Sequence, residues 1–378
     1  MREIYLDNSA TTVTCKEAAE KISELLTEKY GNPSSLHAKG LQAEYEVENA
    51  RKVLAAHIGA SPDEIFFTSG GTESNNLAVI GAAAAHKRTG KRIVVSAIEH
   101  SSVLESAKYL EEQGFDVVYL QPDGSGRIRE EDIIDAVDEK TILVSLMTVN
   151  NEIGTLQPVS SIRRAVKLKK SPALIHTDAV QALGKLDLKQ IRSSVDLLTV
   201  SAHKIHGPKG TGAIYIKKGI RIIPIIHGGE QQKRIRPGTE ASELIAGFGA
   251  AISALPDIRE GHKQIAELND YCKQRLKAIN GVYINSPEDC LPYILNISVC
   301  GIRSETMLHF LEAHGIYVSS GSACAKGKKS HVLSAIGLDN KRIDSAIRIS
   351  FSRYNCAEDI DCLCAALESG IAALAKSK

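Results

Sequence analysis

Apolar residues along the chain fall into short β-branched runs separated by longer stretches with helical spacing. The runs are "IFF" at 65, "IVV" at 93, "VVYL" at 117, "ILVSL" at 142, "ALIH" at 173, "LLTV" at 197 and "GAIYI" at 212, which makes seven candidate strands. Between most of them lie patterns such as "ESNNLAVIGAAAAHKR" (73–88) and "SSVLESAKYLEEQG" (101–114), spaced as a helix with one buried face requires. Strand and helix in alternation predict right-handed crossovers and a largely parallel sheet. The last pair differs. Only 201–211 join the sixth and seventh strands, a short segment holding Gly207, Pro208 and Gly210, so the seventh is expected to run antiparallel.

Beyond Pro256 the pattern changes to a long polar helix (257–280), short strands near 293–299, 316–319 and 346–351, and a final helix from about 357. This reads as a second, smaller α+β unit.

Composition narrows the picture. The chain has 378 residues, 43% of them hydrophobic, enough for two or more domain-sized units. With 46 basic against 45 acidic residues the formal charge is +1, which argues against a general attraction to nucleic acid or anionic membrane. Any anion must be held by a local site. No apolar run approaches the roughly 20 residues of a membrane span, so a cytoplasmic location is the expectation. Eight scattered cysteines are expected to be reduced, most of them small buried side chains. Cys362 and Cys364, two apart in a helical pattern, should face different sides, and His203 with His206 has no further ligand nearby; no metal site is expected.

Ligands of open α/β sheets bind at the carboxyl ends of the strands, and four strands here end in polar residues. "TSGGTESNN" puts Gly71 and Thr72 at a helix start, where free N–H groups and a hydroxyl form a phosphate cup, although the stretch alone serves equally as an N-cap. "HTDAVQALG" puts Asp178 past a buried strand with Gln181 three residues on; the carboxylate suits a protonated ring nitrogen, and alone it reads better as a cap. "SAHKIHGPKG" puts Lys204 directly after a strand, among Ser201, His203 and His206, where poor hydration suits an amine that forms a Schiff base. A solvated turn lysine describes Lys209 better. Together these are the requirements of pyridoxal phosphate. His100 of "EHSSV" adds an imidazole able to stack on a pyridine ring, and Asn151 of "VNNEIG" a polar contact.

The set "DNSATT", "GNPSS", "TSGGTESNN", "EHSSV", "VNNEIG", "HTDAVQALGK", "SAHKIHGPKG", "RPGTE", "SSGSAC" and "IRISFSR", in order from residue 7 to 353, resembles the cysteine desulfurases of the NifS/IscS type. These are class V members of the fold-type I pyridoxal-phosphate enzymes. The resemblance implies a homodimer, a large cofactor-binding domain over 15–256, and a small domain from 1–14 and 257–378. It implies Lys204 as the Schiff-base lysine, His100 as the ring-stacking histidine, Asp178 as partner of the ring nitrogen and Gln181 as a contact of the ring hydroxyl. Gly71, Thr72, Ser201 and His203 match the phosphate contacts, with Thr239 reaching across from the other subunit, and Asn151 and Arg348 match the substrate carboxylate clamp. Cys324 matches the thiol that takes sulfur from L-cysteine as a persulfide, releasing L-alanine. Lys326, Lys328 and Lys329 nearby favour its thiolate form.

Two departures bear on the acceptor. The loop after Cys324 is shorter than in the housekeeping IscS type, and little chain follows the last helix, where those enzymes carry a tail that docks an iron–sulfur scaffold. A protein acceptor in iron–sulfur or tRNA-thiolation pathways is expected, without a choice between them. The alternatives are a selenocysteine lyase or aminotransferase on the same fold, or a catalytically idle docking partner.

Overall fold

The computed structural model describes residues 2–320 and 329–374. Cys324, Lys326 and Lys328 lie outside them. After a two-residue strand β1 (Ile4–Tyr5), seven strands form the main sheet: β2 (Ile65–Thr68), β3 (Arg92–Ser96), β4 (Asp116–Leu120), β5 (Thr141–Ser145), β6 (Leu174–Asp178), β7 (Leu197–Ser201) and β8 (Gly212–Ile216). Their order is β2-β8-β7-β6-β5-β3-β4. As expected from its short connection, β8 is antiparallel to both β2 and β7, and the other pairs are parallel. Gly212 admits no side chain, since a Cβ would lie 2.7 Å from both Gly70 Cα and Val200 O.

β5 to β8 are buried along their whole length, the mark of a sheet covered on both faces. The two-residue period of a strand sends alternate side chains to opposite cores. On β3, Ile93 and Val95 join a cluster with Leu77 and Val79, while Val94 joins the opposite one with Val144, Ile175 and Leu198. Each such side chain, fully buried, stabilises the fold by about 1.5–3 kcal/mol. Helices Gly71–His86 and Ser101–Glu112 cover one face, matching the helical spacing at 73–88 and 101–114. Helices Lys16–Thr27 and Ala38–Ile58 pack instead against Ser242–Ser253.

Past Pro256, helix Ile258–Lys277 starts at Asp257, whose carboxylate accepts N–H bonds from Arg259 and Glu260. β9 (Val282–Ile284), β10 (Ile294–Val299) and β12 (Ala346–Ser350) form an antiparallel sheet in the order β12-β10-β9, and β11 (Ile316–Tyr317) pairs with β1 in parallel. β9 escapes sequence detection because it is three residues long and half-exposed. The arm after β1 reaches β12 through a bridge between Asp7 and Ser350. In the last helix, Ala357–Ala373, Cys362 is exposed and Cys364 buried, on different sides as their spacing requires. Among the described residues, no helix is long and apolar enough to cross a membrane.

Candidate active site

The carboxyl ends of β2, β3, β5, β6 and β7 converge on a cavity of ≈ 250 Å³. Its lining includes Gly71, Thr72, His100, Asn151, Asp178, Gln181, Ser201, His203, Lys204 and Arg348, residues that the sequence nominated from positions up to 277 apart (348 − 71). Thr239 is not brought in by its own chain; it is exposed in the loop before helix Ser242–Ser253. His206, a sequence neighbour of Lys204 like His203, does not join His203 on the lining. Its backbone is left-handed (φ +66°), which turns the ring to the Val13 carbonyl and edge-on to Tyr354, outside this cavity.

The phosphate-cup geometry starts at Gly70, whose φ of +151° few side chains tolerate. A Cβ on Gly71 would lie 2.9 Å from Val180 Cγ2, so the helix N-terminus approaches β6 and β7 closely only as glycine. Opposite it, Ser201 Oγ is buried and has no hydrogen-bond partner among the described residues. Glu73, in the same first turn, is turned away. Burial alone would raise its pKa, but bonds from Arg236 and Ser69 bring it below the usual carboxylate value.

Asp178 ends β6 with its carboxylate accepting from Val180 N (2.9 Å) and from Asn75 Nδ2 (2.7 Å). Asn75 also donates to Ser102 Oγ (2.8 Å), and that hydroxyl in turn lies 2.8 Å from His100 Nδ1. Because the Ser102 N–H also points at His100 Nδ1 (3.2 Å), that nitrogen is the acceptor and the ring proton sits on Nε2. Burial lowers the His100 pKa against the pull of Asp178, favouring the neutral ring. Burial, aided by Lys204, takes His203 down to about 4.

Lys204 follows β7 in a short 3₁₀ turn, its Nζ donating to the carbonyls of Ser9 (2.5 Å) and Ala10 (2.7 Å). The arm over residues 8–13 is held there by Thr12, whose N and Oγ1 both donate to the His203 carbonyl at 2.9 Å. Arg348 is 1 % exposed and divides its fork between Asp7 Oδ1 and the Asn151 carbonyl, both at 2.9 Å. Asp7 is pushed above the usual carboxylate pKa by burial, partly offset by Arg348.

Both described flanks of 321–328 meet the rim of the cavity. Ser319 exchanges two backbone hydrogen bonds with Arg348. Ser330 Oγ donates to Glu152 Oε2 at 2.5 Å, next to Asn151, and His331 Nε2 lies 3.1 Å from the carbonyl of Glu99, next to His100.

The family model for class-V aminotransferases matches residues 4–363. The chain belongs to that family. It is 42% identical over 365 residues to "Cysteine desulfurase IscS" of Dictyoglomus turgidum, covering 95% of this chain and 92% of the relative. It is 39% identical over 376 residues to "Putative cysteine desulfurase IscS 1" of Bacillus subtilis, covering 95% and 96%. A solved "NIFS-LIKE PROTEIN" superposes with a TM-score of 0.93 at 39% identity over 99% of this chain and 100% of its own. "SspA in complex with cysteine" does so at 0.83 and 33%, over 93% and 100%.

Within this class-V aminotransferase, sequence reasoning missed Asn75, Ser9, Ala10 and Asp7. Asn75 carried a usable signal, since it lies one helical turn after Gly71 and so shares its inward face. Ser9 and Ala10 contribute backbone carbonyls, which no side-chain pattern reveals.

Proposed function

We propose that this class-V aminotransferase is a pyridoxal-phosphate-dependent cysteine desulfurase, converting L-cysteine to L-alanine and holding the sulfur as a persulfide on Cys324. The observation that carries the reading is one cavity joining Lys204, Asp178, a glycine-lined helix N-terminus and Arg348, with both flanks of 321–328 hydrogen-bonded at its rim. The relatives named as cysteine desulfurases, and the neighbour described with cysteine, support the same substrate.

The residues present fit the cofactor. A Cβ would close the cradle at Gly71, and the buried Ser201 hydroxyl lacks a partner that a phosphate oxygen would supply. Thr72 and His203 would share that phosphate, Gln181 would face the ring hydroxyl and His100 the ring. Bound there, pyridoxal phosphate supplies an electron sink beside the substrate α-carbon. Asp178, oriented by Asn75, would keep a proton on the ring nitrogen. Lys204 would carry the cofactor on its amine and, once displaced by the substrate amine, take the α-proton. Arg348 and Asn151 would hold the substrate carboxylate. The Cys324 thiolate would attack the substrate sulfur as the carbon–sulfur bond breaks. The sulfur stays on Cys324, and the carbon fragment takes a proton, with His100 in the same cavity able to exchange it, to leave as alanine.

We read 15–256 as the cofactor-binding domain and 1–14 with 257–378 as the smaller one. A homodimer explains why Thr239 stands exposed outside its own cavity, for it would complete the phosphate site of a second copy. A protein acceptor in iron–sulfur or tRNA-thiolation chemistry would then collect the sulfur.

Purified protein should be yellow, and Lys204→Ala should lose that absorbance. Cys324→Ser should keep it while mass spectrometry finds no persulfide at 324. A colourless wild type, an undiminished persulfide yield in the variant, or a keto acid in place of alanine would overturn the reading.

A further inference from the structure

One buried amine near the cavity is used by none of these steps. Lys185, 7 % exposed in the turn that follows β6, forms no ion pair among the described residues. Burial, with Lys204 and Arg348 pushing the same way, takes its pKa down to about 7. Its Nζ sits 5.5 Å from the centre of the Tyr293 ring and donates to Gln181 Oε1 at 3.3 Å. At the other end of that amide, Gln181 Nε2 donates at 3.0 Å to the carbonyl of Ser9, which also accepts from Lys204.

A glutamine amide is nearly symmetric in shape, so its orientation is decided by what its two ends meet. Here an amine meets one end and an acceptor-only carbonyl the other. A packing role would be met by methionine or leucine at no cost, whereas an unpaired buried ammonium is expensive.

We propose that Lys185 is a positioning residue that fixes which way round the Gln181 amide faces the cavity, so that Gln181 offers an N–H donor to an oxyanion bound beside Lys204. The inference rests on the cavity being the pyridoxal-phosphate site, where the ring oxygen is that oxyanion. Without Lys185, the Gln181 carbonyl loses its donor and the amide keeps only the hold of the Ser9 carbonyl, which it shares with Lys204, so the amide is freer to turn its oxygen toward the cavity and repel the ligand.

The test is a double-mutant cycle on full-length protein stripped of cofactor and titrated with pyridoxal phosphate. Lys185→Met keeps the stem and the volume, and it should weaken binding about tenfold, the size of one hydrogen bond. In a Gln181→Leu background, Lys185→Met should add nothing, because a residue acting through Gln181 has nothing left to position. The cofactor-free Lys185→Met protein should also melt higher than wild type, which a merely structural role would not allow. An equal loss in both backgrounds, no loss, or a lower melting point overturns the proposal. A second measurement does not depend on the function. In 15N-glutamine-labelled, cofactor-free protein, the side-chain amide signal assigned to Gln181 by its absence from Gln181→Leu should shift and exchange faster in Lys185→Met. An unmoved signal refutes the positioning role even if the cofactor binds. Wild type that fails to bind pyridoxal phosphate while the signal moves refutes only the functional reading.

Discussion

Asn75→Leu tests the site most directly, because it removes one side chain that touches both the carboxylate assigned to the ring nitrogen and the histidine network. Asn75 is 1 % exposed and spends its two amide hydrogens on Asp178 Oδ2 (2.7 Å) and Ser102 Oγ (2.8 Å). A hydrogen bond to a charged group is worth about 1.5–3 kcal/mol. Removing it leaves Asp178 Oδ2 without that donor, so the carboxylate is less able to hold a proton at a fixed place on the ring nitrogen. At ~1.4 kcal/mol per factor of ten, kcat/KM should fall about 10- to 150-fold. Folding should suffer less, since Asn75 Oδ1 is already buried without a partner and its removal offsets part of the lost bonding. The assay is alanine released from L-cysteine, with a melting curve as control. A kcat/KM within twofold of wild type, in a folded and cofactor-loaded variant, would refute the assignment of Asp178 as a carboxylate that Asn75 holds in place for the ring nitrogen.

Other perturbations follow from the same geometry. Ser201→Ala removes a buried hydroxyl with no partner among the described residues, so the cofactor-free protein should gain about 1–3 kcal/mol in denaturant unfolding while its affinity for pyridoxal phosphate falls. Gly71→Ala drives a Cβ to 2.9 Å from Val180 Cγ2 and should weaken cofactor binding in the same titration. Glu99 is fully buried, and burial pushes its pKa up to about 8 from 4.5, against bonds from Met147 N and Ser96 Oγ. Between those values the folded protein keeps a proton that the unfolded chain has lost. The stability it contributes is therefore present below about 4.5 and lost as pH rises through 8. Glu99→Gln lacks this dependence; thermal unfolding should find it close to wild type at low pH and increasingly more stable as pH approaches 8, and parallel pH profiles would contradict the buried acid.

Much of the site was readable because it is local at each strand end. Thr72, His100, Asn151, Asp178 and Lys204 each stand just past an apolar run, and the rule that open sheets bind ligands at their carboxyl ends is enough to gather them. Lys185 was unreadable for the opposite reason. In "ALGKLD" it looks like a solvated turn lysine, and the Tyr293 ring beside it comes from more than a hundred residues later (293 − 185 = 108). The Asp7–Arg348 pair, 341 residues apart, is likewise invisible to any local pattern.

The sequence by itself determined the seven strands, the reversal of the last one through a connection too short for a crossover helix, and the polar residues that close each strand. Those depend on periodicity and turn chemistry, which act over a few residues. Tertiary structure alone decided how these groups are held: the N-terminal arm laid against the turn after β7 to receive Lys204 on its carbonyls, the Asn75–Ser102 link from Asp178 to His100, and the turning of His206 out of the site. Such contacts join segments that chain connectivity leaves far apart, so no pattern acting over a few residues specifies them.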